Sequence, residues 1–225
     1  MATKYDFGVL QPTAEHDRLV GDIRLSTVNR VARLRVANEA GLARVHTLSN
    51  GGVELSSIID LRIGQVVQLD LSETVSATAT VVAKACNRYS LAFERQVNCA
   101  ELLRRLVAEA RSDRARPLRL VARRITAMGR SAKGVHQIEL DDISQRGMKV
   151  RHDGSFQEGL HVNVQLPNGR ECRGIVRWTK KAYAGLQLAD ILSADDLGSV
   201  SRLSDRGRGL QECQARSAHE ISIIQ

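Results

Sequence analysis

Aromatic side chains are scarce: three Phe, three Tyr and one Trp in 225 residues. A surface that binds single-stranded nucleic acid by stacking needs interleaved aromatics, and so few argue against that function. Any core must therefore be filled by aliphatic side chains, and a hydrophobic content of 43% is enough for real ones. No stretch approaches the run of about 18 apolar residues that a membrane helix requires. The opening MATKYDFGVLQPTAEHD lacks the apolar centre of a secretory signal. The chain reads as soluble and cytoplasmic. Cys86, Cys99, Cys172 and Cys213 form no CxxC pair and have no His at zinc-ligand spacing, which fits reduced thiols and no metal centre. The phosphate loop GxxxxGK[ST] is absent. His16, His46, His136, His152, His161 and His219 are scattered, outside any Ser-His-Asp, Cys-His or metal-ligand spacing. Asp141 and Asp142, as neighbours on a strand, are expected to point to opposite faces, poor geometry for a carboxylate dyad. No enzyme and no cofactor are expected.

Positive charge is what the chain has in excess. With 33 Lys and Arg against 25 Asp and Glu, the net charge is +8, and the pI is near 9.8. An anionic partner follows naturally: a nucleotide, a nucleic acid or an acidic surface. A merely solvating, Arg-rich surface is the alternative on charge alone.

The chain also contains a copy of itself. Residues 24–102 lie over 119–197 at a shift of 95 positions without a gap. Arg24-Leu25 meets Arg119-Leu120, Ser49 meets Ser144 and Gly52 meets Gly147. Further on Gly64 meets Gly159, Leu71 meets Leu166, Val81 meets Val176 and Leu91 meets Leu186. A repeat this long holds a complete core, so two domains of about 100 residues are expected rather than a solenoid. The boundaries read as an N-terminal segment 1–19, a first domain 20–110, a linker 111–118, a second domain 119–204 and a flexible tail 205–225.

Within each copy the hydrophobic period is mostly two. Strands are expected at Val31–Val36, Leu42–Leu48, Gly52–Ser57, Val66–Leu71, Ala77–Ala85 and Arg88–Phe93 in the first. In the second they fall near Arg124–Met128, Val135–Leu140, Gly147–Arg151, His161–Leu166, Arg173–Thr179 and Tyr183–Leu188. Six short strands with hairpin-length connections favour a closed barrel, because closure removes exposed edges. Asn98 with Glu101, and Ser193 with Asp196, read as helix starts with an acidic residue three positions on, the second helix covering Leu197–Leu203. The fold class is thus all-β with short helices: two tandem six-stranded antiparallel β-barrels, each followed by a helix.

Few residues can carry binding chemistry. Asp142-Ile-Ser144-Gln-Arg-Gly147 lies on a strand–turn–strand, and Arg114-Ala-Arg116-Pro-Leu-Arg119 stands at the entrance to the same barrel. Guanidinium groups suit phosphates and guanine edges, because they donate in pairs and stack on planar rings. A short Asp or Ser on a turn accepts from a purine N–H edge, and Gly lets backbone approach a ligand. An ordinary hairpin turn beside a basic linker explains the same residues, and both readings stand at this point.

DISQRGMKV, with the arginines upstream and Gly174-Ile-Val-Arg-Trp178 followed by Gly185-Leu186 downstream, resembles the PilZ family. The likeness covers about residues 114–203, and the repeat carries it more weakly over about 20–110. The resemblance implies a six-stranded barrel with a C-terminal helix and binding of cyclic di-GMP as ligand. It implies that linker arginines wrap the dinucleotide while Asp142, Ser144 and Gly147 hold one guanine. The literal RxxxR, Arg119-Leu-Val-Ala-Arg123, lies unusually close to Asp142 for the family. The better-spaced alignment makes Arg119 the second arginine and leaves Ala115 at the first, between Arg114 and Arg116. The first copy has Thr47 for the acid, Val20 for the first arginine and Ala83 for Trp178, so it is expected not to bind. Two functions follow: a cyclic di-GMP receptor that signals to a downstream protein partner, or a ligand-free interaction module in motility or polysaccharide regulation. Nucleic acid is not an expected partner.

Overall fold

Period-two alternation produces two sets of six strands in the computed structural model, which describes residues 26–112 and 116–205. The first set is β1 (Ser26–Val36), β2 (Glu39–Leu48), β3 (Gly52–Ser56), β4 (Val66–Asp70), β5 (Ser76–Ala85) and β6 (Arg88–Phe93). Helix α1 (Cys99–Arg111) follows. The second set is β7 (Arg119–Ser131), β8 (Gly134–Ser144), β9 (Gly147–Arg151), β10 (His161–Gln165), β11 (Glu171–Lys180) and β12 (Tyr183–Leu188), then α2 (Val200–Ser204). Each set closes into a barrel, in the order β1-β2-β3-β6-β5-β4 and, identically, β7-β8-β9-β12-β11-β10. The expected fold class is the one observed. Arg114 and the tail, apart from Asp205, lie outside the described residues, as does the segment 1–19.

Aliphatic side chains fill both interiors, as the shortage of aromatics requires. Leu34, Leu55, Leu61 and Leu69 are fully buried in the first barrel, and Leu120, Ile138, Leu140 and Ile143 in the second. Each such burial is worth about 1.5–3 kcal/mol. The repeat extends to individual hydrogen bonds. Gly64 N donates to Val81 O and Gly159 N to Val176 O, both at 2.8 Å. Those two glycines take φ of 83° and 84°, the left-handed region that favours glycine.

The shift of 95 fails at one place. In β1 Thr27 faces Thr47 and Arg30 faces Val45, so Val28 and Asn29 oppose His46. In β7 Val121 faces Asp142 and Ile125 faces Leu140, so Ala122, Arg123 and Arg124 oppose Asp141. The second barrel carries one extra residue in this bulge, and Arg124 absorbs it with φ 73°. Holding a non-glycine residue there costs on the order of 1–2 kcal/mol. N-terminal of the bulge the correspondence is therefore 94 positions. The expected pairing of Arg24-Leu25 with Arg119-Leu120 lies outside the described residues.

Helix α1 starts as its sequence predicts, with Asn98 Oδ1 accepting from Glu101 N at 3.0 Å, and it buries Cys99 and Leu106. The second helix starts later than expected. Ser193 N donates to Asp196 Oδ2 at 2.8 Å and Asp196 N to Ser193 Oγ at 3.1 Å, the reciprocal capping pair. That pair closes only a turn, because Gly198 interrupts the run. Helix α2 begins at Val200, with Ser199 Oγ accepting from Arg202 N at 3.2 Å.

The barrels meet through the β1–β2 hairpin. Leu42 packs in the core of the second barrel, and its N–H donates to Leu197 O at 2.8 Å. Glu39 Oε1 accepts from Val200 N at 3.0 Å and Ser201 N at 3.3 Å, so a first-barrel carboxylate caps α2. A Cβ at Gly41 would stand 1.9 Å from Gly198 O, so the close approach needs glycine.

Candidate functional site

Directly opposed residues of antiparallel neighbours share a face. That rule assembles the separated motifs of the second copy into one row. Val121 on β7 faces Asp142 on β8, and Asp142 faces Lys149 on β9. Lys149 faces Gly185 on β12, and Gly185 faces Trp178 on β11. The row lies on the outer surface, with Val121 63% and Trp178 42% exposed. The indole lies across Gly185, where a Cβ would stand 2.0 Å from Trp178 Nε1.

Arg119 opens β7 at the end of this row, and its guanidinium donates to Asp142 Oδ1. Ionic donors and carboxylate acceptors make the stronger hydrogen bonds. Both side chains are partly exposed, so solvent screening keeps the pair weak. A ligand that offers a phosphate to Arg119 and an N–H edge to Asp142 can take over both halves of the pair.

Asp141 contradicts its expected orientation. Lys149 Nζ lies 2.8 Å from Asp141 Oδ2, while Asp142 is the residue directly opposite Lys149. Both acids therefore serve the same face. The cause is the bulge, which leaves Asp141 outside the ladder to β9 and rotates it outward. The hydrogen bond to Asp141 and the charges of Asp141 and Asp142 hold the Lys149 ammonium above the usual lysine range. Lys149 also sits 4.5 Å from the Tyr183 ring centroid, within cation–π range.

The other expected residues divide by location. Ser144 is fully buried, and its hydroxyl donates to Gly147 O at 3.0 Å. A Cβ at Gly147 would stand 2.7 Å from Leu186 O. These two residues build the β8–β9 turn beneath the row. Arg123 is exposed, with Nε 3.6 Å from Asp141 Oδ1. Arg116 is exposed in the segment leading to β7. Thus Arg119, Arg123, Asp142 and their turn come together.

Sequence reasoning missed Lys149, although its position two residues after Gly147 puts it on the same strand face as the motif's outward groups. It also missed Arg124, which with Arg35, Glu39 and Arg123 lines a cleft of about 530 Å³ between the barrels. The extra bulge residue that carries Arg124 is invisible in an ungapped alignment. Among the described residues there is no cluster of three or more metal-ligating side chains. No helix among them is long and apolar enough to cross a membrane.

The chain is an all-β protein of two closed six-stranded barrels, the second bearing an Arg–Asp pair on its outer face above a Ser–Gly turn. A family model, the PilZ domain, matches residues 14–109 and again 110–205. The chain belongs to the PilZ domain family. No curated protein matches it significantly by sequence. Among solved structures it is similar to the Borreliella burgdorferi PlzA protein in complex with c-di-GMP, at 10% identity and TM-score 0.37, covering 84% of this chain and 96% of that one. It is similar to the Bacillus subtilis inhibitor of motility (MotI/DgrA), at 16% identity and TM-score 0.30, covering 86% and 99%. YcgR from Escherichia coli, in complex with c-di-GMP, shares 11% identity at TM-score 0.27, covering 88% and 89%. At such TM-scores these likenesses carry no functional weight, and the family assignment rests on the repeated model match.

Proposed function

We propose that the chain is a cyclic di-GMP receptor that binds the dinucleotide on its second barrel and transmits the signal to a downstream protein. Arg119 and Asp142 make the central contacts, to a phosphate and a guanine edge. Arg114, Arg116 and Arg123 supply further guanidinium groups, and Ser144 and Gly147 shape the turn against the guanine. The observation that carries this reading is the Arg119–Asp142 pair, which joins two motif elements 23 positions apart on one exposed face. Membership of the PilZ family supports it. The protein acts by binding rather than catalysis, takes the dinucleotide as a ligand rather than a cofactor, and works in the cytoplasm. Its functional domains are residues 20–110 and 119–204, joined by 111–118, with an N-terminal segment 1–19 and a C-terminal tail 205–225.

A ligand that grips the linker and the barrel together favours one arrangement of the two barrels, provided its affinity differs between arrangements. Calorimetric titration of the full chain with cyclic di-GMP tests the reading, and saturable binding is expected. No binding up to roughly 0.5 mM, weaker than about −4.5 kcal/mol, would replace it with the ligand-free interaction module.

A further inference from the structure

The backbone of Arg119 is held on both sides by the other barrel. Arg33 Nη1 on β1 donates to Arg119 O at 2.7 Å. Arg119 N donates to Glu73 Oε1 at 3.3 Å, and the same oxygen accepts from Arg33 Nη1 at 3.4 Å. Arg33 is itself aimed by Asp70, whose Oδ2 accepts from Arg33 Nε at 2.8 Å. Asp70 is only 2% exposed, and its other oxygen accepts from Arg35 Nη2 at 3.0 Å. The N–H and the C=O of one residue are thus fixed by one charged cluster, which leaves Arg119's Cα little freedom while its guanidinium reaches Asp142.

The repeat shows that barrel architecture does not demand this cluster. Arg33 faces Asp70 across β1 and β4. The equivalent pair across β7 and β10 is Met128 and Gln165, and the counterpart of Glu73 is Asn168. The second barrel closes with the same topology without any of the three charges. The charged set occurs in the barrel that meets Arg119 and is missing from the barrel that carries Arg119.

We infer that Arg33, Asp70 and Glu73 are positioning residues for the nucleotide site, so that the first barrel sets the affinity of the second. This rests on the receptor reading of Arg119 given above. The planar fork of Arg33 bonds Asp70 through Nε and the Arg119 carbonyl through Nη1, a fixed separation of donors that the single ammonium of a lysine does not reproduce. Preorganised groups bind more tightly because less freedom is lost on association.

The test uses the full chain as wild type, Arg33→Lys, Glu73→Ala and Glu73→Gln. Cyclic di-GMP affinity is read by calorimetry, and exchange of the Arg119 amide is read by NMR without nucleotide. Arg33→Lys keeps the charge beside Asp70 and the barrel folded, yet is expected to weaken binding about tenfold, equivalent to about 1.4 kcal/mol. Glu73→Ala is expected to act likewise and to speed exchange at Arg119 alone, whereas Glu73→Gln, which keeps an acceptor oxygen, restores both. Wild-type affinity in Arg33→Lys and Glu73→Ala overturns the inference. So does faster exchange spread evenly over both barrels, the mark of a merely structural contact. If the wild type itself fails to bind, the receptor reading falls, and the exchange arm still decides the positioning. Faster exchange confined to Arg119 in Arg33→Lys and Glu73→Ala upholds it, and unchanged exchange overturns it.

Discussion

The same outer row exists in both barrels, and the two rows carry opposite chemistry. In the second it reads Val121, Asp142, Lys149, Gly185 and Trp178 across five strands. In the first, Thr47, Glu54, Ser90 and Ala83 occupy the positions of Asp142, Lys149, Gly185 and Trp178. The acid has become Thr47, whose hydroxyl donates to Glu54 Oε2 at 3.0 Å. The base has become Glu54, and the indole has become a methyl group. Beneath the rows nothing has changed. Ser49 Oγ donates to Gly52 O at 3.1 Å, as Ser144 Oγ does to Gly147 O at 3.0 Å. A Cβ at Gly52 would stand 2.2 Å from Leu91 O, and one at Gly147 would meet the equivalent Leu186 O. The Ser and Gly of the motif therefore specify the turn and mark the fold, while the outward residues between and around them specify the ligand.

The comparison breaks most severely at the ligand. Arg119→Ala and Asp142→Ala each remove a charge-assisted hydrogen bond to cyclic di-GMP, worth about 1.5–3 kcal/mol. Affinity should fall roughly 10- to 150-fold per substitution in a calorimetric titration. Thr47→Ala in the first barrel should leave affinity unchanged. Equal losses from Thr47→Ala and Asp142→Ala would mean that both rows bind and that the contrast drawn between them is mistaken.

Much of this contrast was legible in the sequence, because it depends on local signals. Strand period, turn glycines and the Asn98 cap are written in short windows, and the shift of 95 doubles each of them. That Arg119 and Asp142 could serve one ligand was legible from the motif, but their direct hydrogen bond was not. What stayed hidden depends on three-dimensional register. The extra bulge residue at Arg124 changes no composition and opens no visible gap, because compensating similarity returns a few residues later. It nevertheless moves the correspondence upstream by one, while Asp141 is left out of the β8–β9 ladder by a bulge that both barrels share. The grip of Arg33 and Glu73 on Arg119 crosses between barrels, and no periodicity encodes such contacts. Helix α2 was misplaced because its capping signal is genuine but is spent on a turn before Gly198.

A second break lies at the seam. Gly41 tolerates no side chain, since a Cβ would meet Gly198 O at 1.9 Å. Its counterpart in the second barrel is His136, a residue with a full side chain. The seam is therefore one-sided: only the first barrel offers its β1–β2 hairpin for close docking. Gly41→Val should lower stability by about 2 kcal/mol or more, as overpacking and backbone displacement do. Gly51→Val, with nothing within 4 Å of its Cβ, is the control and should change little. Differential scanning calorimetry reads both, and the Gly41 variant should melt in two resolved steps as the barrels uncouple. A single unshifted transition would show that the hairpin contact does not bind the barrels together.

The smallest expected effect sharpens the contrast at one cross-strand pair. Thr47 and Glu54 stand directly opposite each other on β2 and β3, as Asp142 and Lys149 do on β8 and β9. Thr47→Asp restores the motif's acid to the first barrel but sets a carboxylate against Glu54. Like charges directly opposed on one face are destabilising, and pair effects of this kind run to about 0.2–1 kcal/mol. Adding Glu54→Lys recreates the charge order of the second barrel and should recover the loss. For a chain of this length 1 kcal/mol moves the melting temperature by about 2–4 °C, so the single variant should melt up to a few degrees lower and the double variant at or above wild type. The coupling should shrink in high salt, because the pair is exposed and screened. If Thr47→Asp is as stable as wild type and Glu54→Lys adds nothing to it, the two positions do not interact. The inverted charges of the first barrel would then be a neutral drift rather than a consistent replacement of one surface by another.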